Sequence, residues 1–406
     1  MLKWISRDGK LIILSLGLRT LAQSAASLIL ALYLDKLGYS LVQIGAFLSA
    51  GVAGSAVLTF TVSLISERIG RRRLMVFFAA LMGLAGLAMV FVDNFFLLLL
   101  IAFFGNVGAG GISPAAPLEQ ASLSDAAPPE KRTELFAIYR IAGLAGGTVG
   151  ALSAGLPSLL QSNFSMSEMG SLKTMYVGFS ILLLAAAFIY ALLSPSIETA
   201  HSGQGWSNPL KLPSRRLIFT LSGLFAVDAF AGSLFMQSLA AYWFYTKFGM
   251  NLKDLALVFS LSNVLAAISL WVAAKLGNLI GLINTMVFTH IPASLLLIAA
   301  AFTPNAGLVI VFWQLRAFFS MMDVPTRDSY TMSVVQPHER VAMAGINTVG
   351  RSVTGIVAPL ASTALWQAIS ATVPIIGCAV LKITYDLSLY FMFRKVKAPH
   401  ERVKRD

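Results

Sequence analysis

Twelve apolar runs, each long enough to cross a bilayer as a helix, occupy most of this 406-residue chain. They are Leu11 to Leu34, Val42 to Ile65, Leu74 to Val92, Phe95 to Leu118, Leu135 to Leu159, Thr174 to Leu193, Leu217 to Tyr245, Leu255 to Ala274, Leu282 to Phe302, Leu308 to Val334, Met343 to Ile369 and Pro374 to Phe393. At a rise of about 1.5 Å per residue, about twenty residues match a hydrocarbon core about 30 Å thick. In that core only a helix or a closed barrel satisfies its own backbone polar groups. The pattern therefore predicts an all-α membrane protein with twelve transmembrane helices. Composition agrees: 57% of residues are apolar and 12% charged, where soluble domains carry about 25% charged residues. The first run exceeds the length of a signal-peptide core, so no cleavage is expected.

Net charge is +12, which in a soluble protein would suggest nucleic acid. Here its distribution argues for topology instead. Segments on one side of the predicted helices hold twenty basic residues, clustered around positions 3–10, 68–73, 131–132, 211–216, 275, 340 and 394–405. The other side holds four, Lys36, Lys173, Lys247 and Lys253. The positive-inside rule then places both termini in the cytoplasm and the protein in the cell's cytoplasmic (inner) membrane, with lipid as its surroundings and no nucleic-acid partner. The lone cysteine, Cys378, cannot form an internal disulfide.

The two halves of the sequence repeat. A shift of 211 pairs Lys36 with Lys247, Gly38 with Gly249, Ser49 with Ser260, Ile69 with Ile280 and Gly70 with Gly281. A shift of 208 pairs Pro117 with Pro325, Pro129 with Pro337, Arg132 with Arg340 and Gly147 with Gly355. Transporter folds are built from such repeats. The expected organisation is a six-helix bundle over 1–194, a polar cytoplasmic linker over 195–216, a second bundle over 217–393 and a basic tail over 394–406.

Between helices 2 and 3 the chain reads Ser63-Leu-Ile-Ser-Glu67-Arg68-Ile-Gly70-Arg71-Arg72, and a degenerate copy, Gly277 to Gly281, follows helix 8. With twelve helices and a six-plus-six repeat, the chain resembles the major facilitator superfamily of secondary transporters over its whole length. Ser63 stands where the family's loop has glycine and Glu67 where it has aspartate. The resemblance implies a cytoplasmic latch made of Glu67, Arg68, Gly70, Arg71 and Arg72. Its arginines would pair with carboxylates at helix ends, such as Glu119, Asp125 or Glu134; the alternative is that they only anchor topology. The family's helix 4 arginine is absent, with Ala102 in its place. The glycine-rich stretch Gly143 to Gly155 matches the antiporter signature in part, and close helix packing explains it equally well.

Charges inside the spans are costly, at least about 2.5–3.5 kcal/mol at the bilayer centre, and so need a partner or a task. Asp228 in helix 7 and Arg316 in helix 10 both fall near mid-depth, and the resemblance implies that helices 7 and 10 meet around a central cavity, so an ion pair in or beside the transport path is expected. Protonation of Asp228 would then release Arg316 for substrate; a static salt bridge is the alternative. Arg19 in helix 1 is expected to face Glu119, substrate or helix-end carbonyls. Arg140 is expected to pair with Glu119. Arg316, Ser320, Asp323 and Arg327 share one helical face, and Pro325 is expected to kink that helix into a cytoplasmic gate. Lys382 and Asp386, four residues apart, are expected to neutralise each other.

No catalytic constellation appears. His201, His290, His338 and His400 lack metal spacing, and no phosphate-binding loop is present. No enzyme activity and no cofactor is expected, and energy must come from a proton or other ion gradient. Gln23, Asn106, Gln237, Asn263, Trp271, Trp313, Gln314 and Asn347 are candidate cavity residues. The expected function is proton-coupled efflux of small amphiphilic drugs or metabolites by a monomer working through alternating access. An organic-anion carrier is the second reading, and a non-transporting receptor or scaffold the third.

Overall fold

A computed structural model describes residues 4–107, 113–124, 131–198, 212–336 and 339–396. Sixteen α-helices and one 3-10 turn are found among them, in this order: α1 Arg7–Lys36, α2 Leu41–Ile69, α3 Arg71–Phe91, α4 Phe95–Gly105, α5 Ala116–Ser124, α6 Arg132–Ser153, α7 Leu156–Phe164, α8 Glu168–Ala191, the 3-10 turn Pro195–Glu198, α9 Arg215–Leu234, α10 Gln237–Phe248, α11 Leu252–Ile280, α12 Leu282–Phe302, α13 Ala306–Ser320, α14 Asp323–Val334, α15 Arg340–Ala368 and α16 Thr372–Phe393. Among the described residues, ten segments are long and apolar enough to cross a membrane. The two expected spans outside that set are the fourth, divided between the short apolar α4 and α5, and the eleventh, which folds as the 29-residue α15.

The extra helices come from breaks inside expected spans, and the sequence accounts for two of them. Proline clashes with the carbonyl four residues back. Pro157 stands four residues after Ser153, where α6 ends, and Pro325 stands four after Met321, between α13 and α14. The bend expected at Pro325 thus falls one turn earlier. Span 4 breaks at Asn106, which takes a left-handed conformation at φ 47°. Span 7 breaks between Leu234 and Gln237. Pro292 in α12 and Pro359 in α15 leave their helices continuous.

The repeat is visible in backbone geometry. The glycines with positive φ among the described residues are Gly38, Gly70, Gly249 and Gly281, two pairs that the 211-residue shift superposes. The same shift relates Asn94, which caps α4, to Asn305, which caps α13. Gly70 joins α2 to α3 at φ 100° and ψ 141°, a conformation all but closed to other residues. Gly70→Ala is expected to cost about 1–3 kcal/mol, read as a lower melting temperature in detergent. A variant that melts with the wild type would contradict this.

The chain divides into two compact units. One comprises residues 1–202 with Gln237–Ser260; the other comprises 203–236 with 261–406. The division therefore differs from a cut at the linker, because α10 and the start of α11 group with the first unit. There α10 packs on α1, and the Tyr242 hydroxyl donates to Asp35 at 2.9 Å. In the same unit α1 also packs on α6 and α8, and α3 packs on α8. A Cβ on Gly146 would lie 2.5 Å from the Gly17 carbonyl oxygen, and one on Gly150 would lie 2.2 Å from that of Leu21. The glycine-rich stretch of α6 thus serves close packing on α1. In the second unit α9 packs on α15 and α16, and α12 packs on α13, α14 and α16. Large apolar side chains stay exposed on the outer faces, Phe91 at 76% and Phe188 at 66% among them. Such faces suit lipid and not water.

Candidate functional site

In the second unit, cationic side chains from three helices converge on Asp228, one helical turn and two residues before the end of α9. One carboxylate oxygen accepts from Lys382 Nζ on α16 at 2.8 Å. The other accepts from Arg327 on α14 at 3.1 Å and from Arg351 on α15 at 3.3 Å. Arg327 also donates to Asp323, one turn away, at 2.8 Å. Lys382 Nζ lies 3.1 Å from His290 Nε2 on α12, and His290 Nδ1 lies 3.0 Å from Asp386 Oδ1 on α16.

The order of donors fixes the histidine tautomer. An ammonium can only donate, so His290 Nε2 accepts and its hydrogen sits on Nδ1, which donates to Asp386. The result is a continuous relay from Arg327 and Arg351 through Asp228, Lys382 and His290 to Asp386. Three acids face three permanent cations, so with a neutral imidazole the charges sum to zero. The Asp228, Arg327 and Lys382 side chains are 6%, 10% and 11% exposed, whereas Arg351 is 32% exposed and forms the open end. Asp386 is fully buried, and its Oδ2 has no hydrogen-bond partner among the described residues.

This arrangement replaces the expected pair of Asp228 with Arg316. Arg316 lies in α13, above the break at Met321, and its guanidinium stacks on Trp313, 4.6 Å from the ring centroid. Among the described residues it pairs with no carboxylate. Lys382 and Asp386 do not neutralise each other either. They share one face of α16, but Lys382 reaches Asp228 on α9 and His290 on α12, and Asp386 meets the other nitrogen of the same ring. His290, set aside at the sequence level for want of metal spacing, is the link between them. A signal was available, since it is the one histidine deep within an apolar run and a polar ring there needs partners.

The first unit holds a second buried cluster. Arg19 on α1 donates to both oxygens of Glu119 on α5 at 2.9 Å. The hydroxyls of Tyr139 on α6 and Tyr190 on α8 donate to the same carboxylate. Arg19 is 3% exposed and Glu119 is 0% exposed. Of the expected partners for Arg19, the structure gives Glu119. Arg140, expected to pair with Glu119, is exposed and does not bond to it. Tyr139, next in sequence, takes its place because a one-residue step turns a helix by about 100°.

At the α2–α3 turn the carboxylate comes from an unexpected source. Glu198, in the 3-10 turn after α8, accepts from the backbone N–H of Arg71 at 2.6 Å and of Arg72 at 3.1 Å. It caps the N-terminus of α3, where free amides and the helix dipole favour an anion. The Arg72 guanidinium donates to the Ala191 carbonyl, the last of α8, at 2.7 Å. Arg68 is exposed in the last turn of α2. The Glu67 side chain and Asp125 lie outside the described residues. Glu134 pairs with Lys131 at 2.7 Å and not with the turn. Of the candidate cavity residues, Gln314 accepts from Ser262 at 3.0 Å, and Trp271 is 64% exposed with Lys275 on its ring face.

Comparison with known proteins agrees with this architecture. The nucleoside transporter NupG superposes with a TM-score of 0.77 over 96% of this chain and 99% of its own, at 12% identity. A bacterial homolog to the human lysosomal transporter Spinster, inward-facing and unoccupied, gives 0.74 over 98% and 100%, at 15% identity. A D-xylose-proton symporter gives 0.71 over 94% and 97%, at 11% identity. In sequence, the uncharacterized membrane protein YJR124C of Saccharomyces cerevisiae is 24% identical, covering 98% of this chain and 96% of its own. The family profile extends from residue 12 to residue 359, so this multi-pass membrane protein belongs to the Major Facilitator Superfamily.

Proposed function

We propose that this chain is a secondary active transporter that works by alternating access and couples proton movement to the efflux of small amphiphilic compounds or metabolites. The observation that carries the reading is the buried relay around Asp228. Buried charges cost free energy, and a structural ion pair needs two of them, not six with a histidine bridge. A relay of this kind offers a proton several acceptors within hydrogen-bond reach. Its open end, Arg351, gives a change of charge inside the relay a route to a bound molecule.

A specific observation favours organic anions as cargo. Arg316, deep in α13, faces no carboxylate among the described residues, and a guanidinium in that setting suits a carboxylate or phosphate on the substrate. The twenty-to-four bias of basic residues supports cytoplasmic termini, and we infer a monomer in the cytoplasmic membrane.

The test is a thermal-shift screen of the purified protein against a metabolite and drug library, followed by flux of each hit in proteoliposomes. A bound ligand raises apparent stability by mass action. Amphiphilic or anionic hits whose flux follows an imposed pH gradient are expected. Flux indifferent to that gradient would remove proton coupling, and binding without flux would favour a receptor.

A further inference from the structure

We propose that the transported proton is bound by the His290–Asp386 dyad on α12 and α16, and not by Asp228. This rests on the proton-coupled reading above and names the group that executes it. The geometry separates the two acids. Asp228 accepts from three cations on three other helices, at 2.8, 3.1 and 3.3 Å, and both of its oxygens are engaged. A proton arriving there would have to displace a lysine or an arginine. Among the described residues, Asp386 accepts one hydrogen bond, from a ring nitrogen at 3.0 Å, and its Oδ2 has no partner. That oxygen is a buried acceptor of the relay with no donor among the described residues.

Depth fits the task. His290 lies about 12 Å along α12 from its N-terminal end, and Asp386 about 10 Å from the C-terminal end of α16, taking 1.5 Å per residue. Both therefore sit below the same end of the packed α12–α16 pair. Of the charged and titratable groups in this cluster, Lys382 and Tyr385 on α16 touch the dyad; Asp228 on α9 holds Lys382, Arg327 on α14 and Arg351 on α15, Asp323 on α14 holds Arg327, and Cys378 on α16 lies near Lys382 and Arg316 on α13. Tyr385 sets its ring edge-on to His290, 6.1 Å between centroids.

The consequence of protonation follows from counting charges. With Asp386 ionised the relay is neutral; a proton moved from water to its Oδ2 leaves one net positive charge. The bond from His290 Nδ1 loses its ionic partner and roughly half its strength. His290 is then held less firmly against Lys382, whose ammonium turns to Asp228 and competes there with the two arginines. Arg351, at 3.3 Å the longest of the three contacts and the most exposed, is the one that leaves. Proton uptake thereby presents a guanidinium to the substrate pathway.

The experiment is pH-difference infrared spectroscopy of the full-length protein in liposomes, with wild type, Asp386→Asn, Asp228→Asn and His290→Asn. A protonated-carboxyl band that titrates in wild type is expected to vanish in Asp386→Asn and to persist in Asp228→Asn. A band kept in Asp386→Asn and lost in Asp228→Asn would overturn the assignment while leaving proton coupling in place. Absence of any titrating carboxyl band in wild type would overturn both. If Asp386→Asn does not fold, His290→Asn decides: it removes the one donor to Asp386, so the band must change frequency and midpoint. A band unmoved in His290→Asn places the proton elsewhere.

Discussion

On the proposed function, Asp228→Asn is expected to abolish gradient-driven flux and to lower stability by about 3–5 kcal/mol, the cost of removing one partner from a buried ion pair. The substitution keeps the shape of the side chain but withdraws the single negative charge shared by Lys382, Arg327 and Arg351. Its amide also turns an NH2 towards one of those cations, exchanging an acceptor for a donor. Arg327 retains Asp323 at 2.8 Å and Lys382 retains the His290 ring at 3.1 Å, so the loss stays at the lower end of that range. Combining Asp228→Asn with Lys382→Met removes one uncompensated cation and is expected to recover part of the melting temperature. Coupling is not recovered, because no anion then communicates between His290 and Arg351. Melting in detergent and flux in proteoliposomes separate the two effects. Intact gradient-driven flux in Asp228→Asn would eliminate this carboxylate from coupling.

The sequence makes the membrane spans, the repeat and the family legible, because all three rest on local signals: apolar run length, recurring glycines and prolines, and a charged turn. Partners across helices were harder to read. Mid-depth counting assumed straight helices and so matched Asp228 with Arg316, whereas the break at Met321–Met322 separates Arg316 from the part of the chain that reaches α9. The eleven residues from Arg316 to Arg327 are three helical turns, about 16 Å of axial distance.

The repeat held a better answer. The 208-residue shift maps Glu119 onto position 327, and a shift of 209 maps Arg19 onto position 228. Each unit therefore has an ion pair between its first and fourth expected spans, with the signs exchanged: Arg19 with Glu119, and Asp228 with Arg327. Glu198, by contrast, had no signal, since a linker acid caps α3 only once the chain has folded back.

The sign-exchanged pairs differ in what surrounds them, and that difference makes the last prediction. Glu119 accepts four hydrogen bonds from three residues, two from Arg19 and one each from Tyr139 and Tyr190, and among the described residues Arg19 pairs with no second carboxylate. A carboxylate with every lone pair in use and no exposed member nearby has nowhere to pass a charge. Glu119→Gln is therefore expected to cost about 3–5 kcal/mol by leaving the Arg19 guanidinium buried and uncompensated. The double variant Arg19→Met with Glu119→Gln removes both charges and keeps a carbonyl for one tyrosine. The second hydroxyl then goes unpaired, at about 1–3 kcal/mol, so most of the stability lost in the single variant returns. Gradient-driven flux returns with it if this pair only holds α1, α5, α6 and α8 together. The Asp228→Asn and Lys382→Met combination, stabilised in the same way, stays uncoupled. Should the Arg19 and Glu119 double variant regain its melting temperature but not its flux, the first-unit pair would be part of the transport cycle and not only of the architecture.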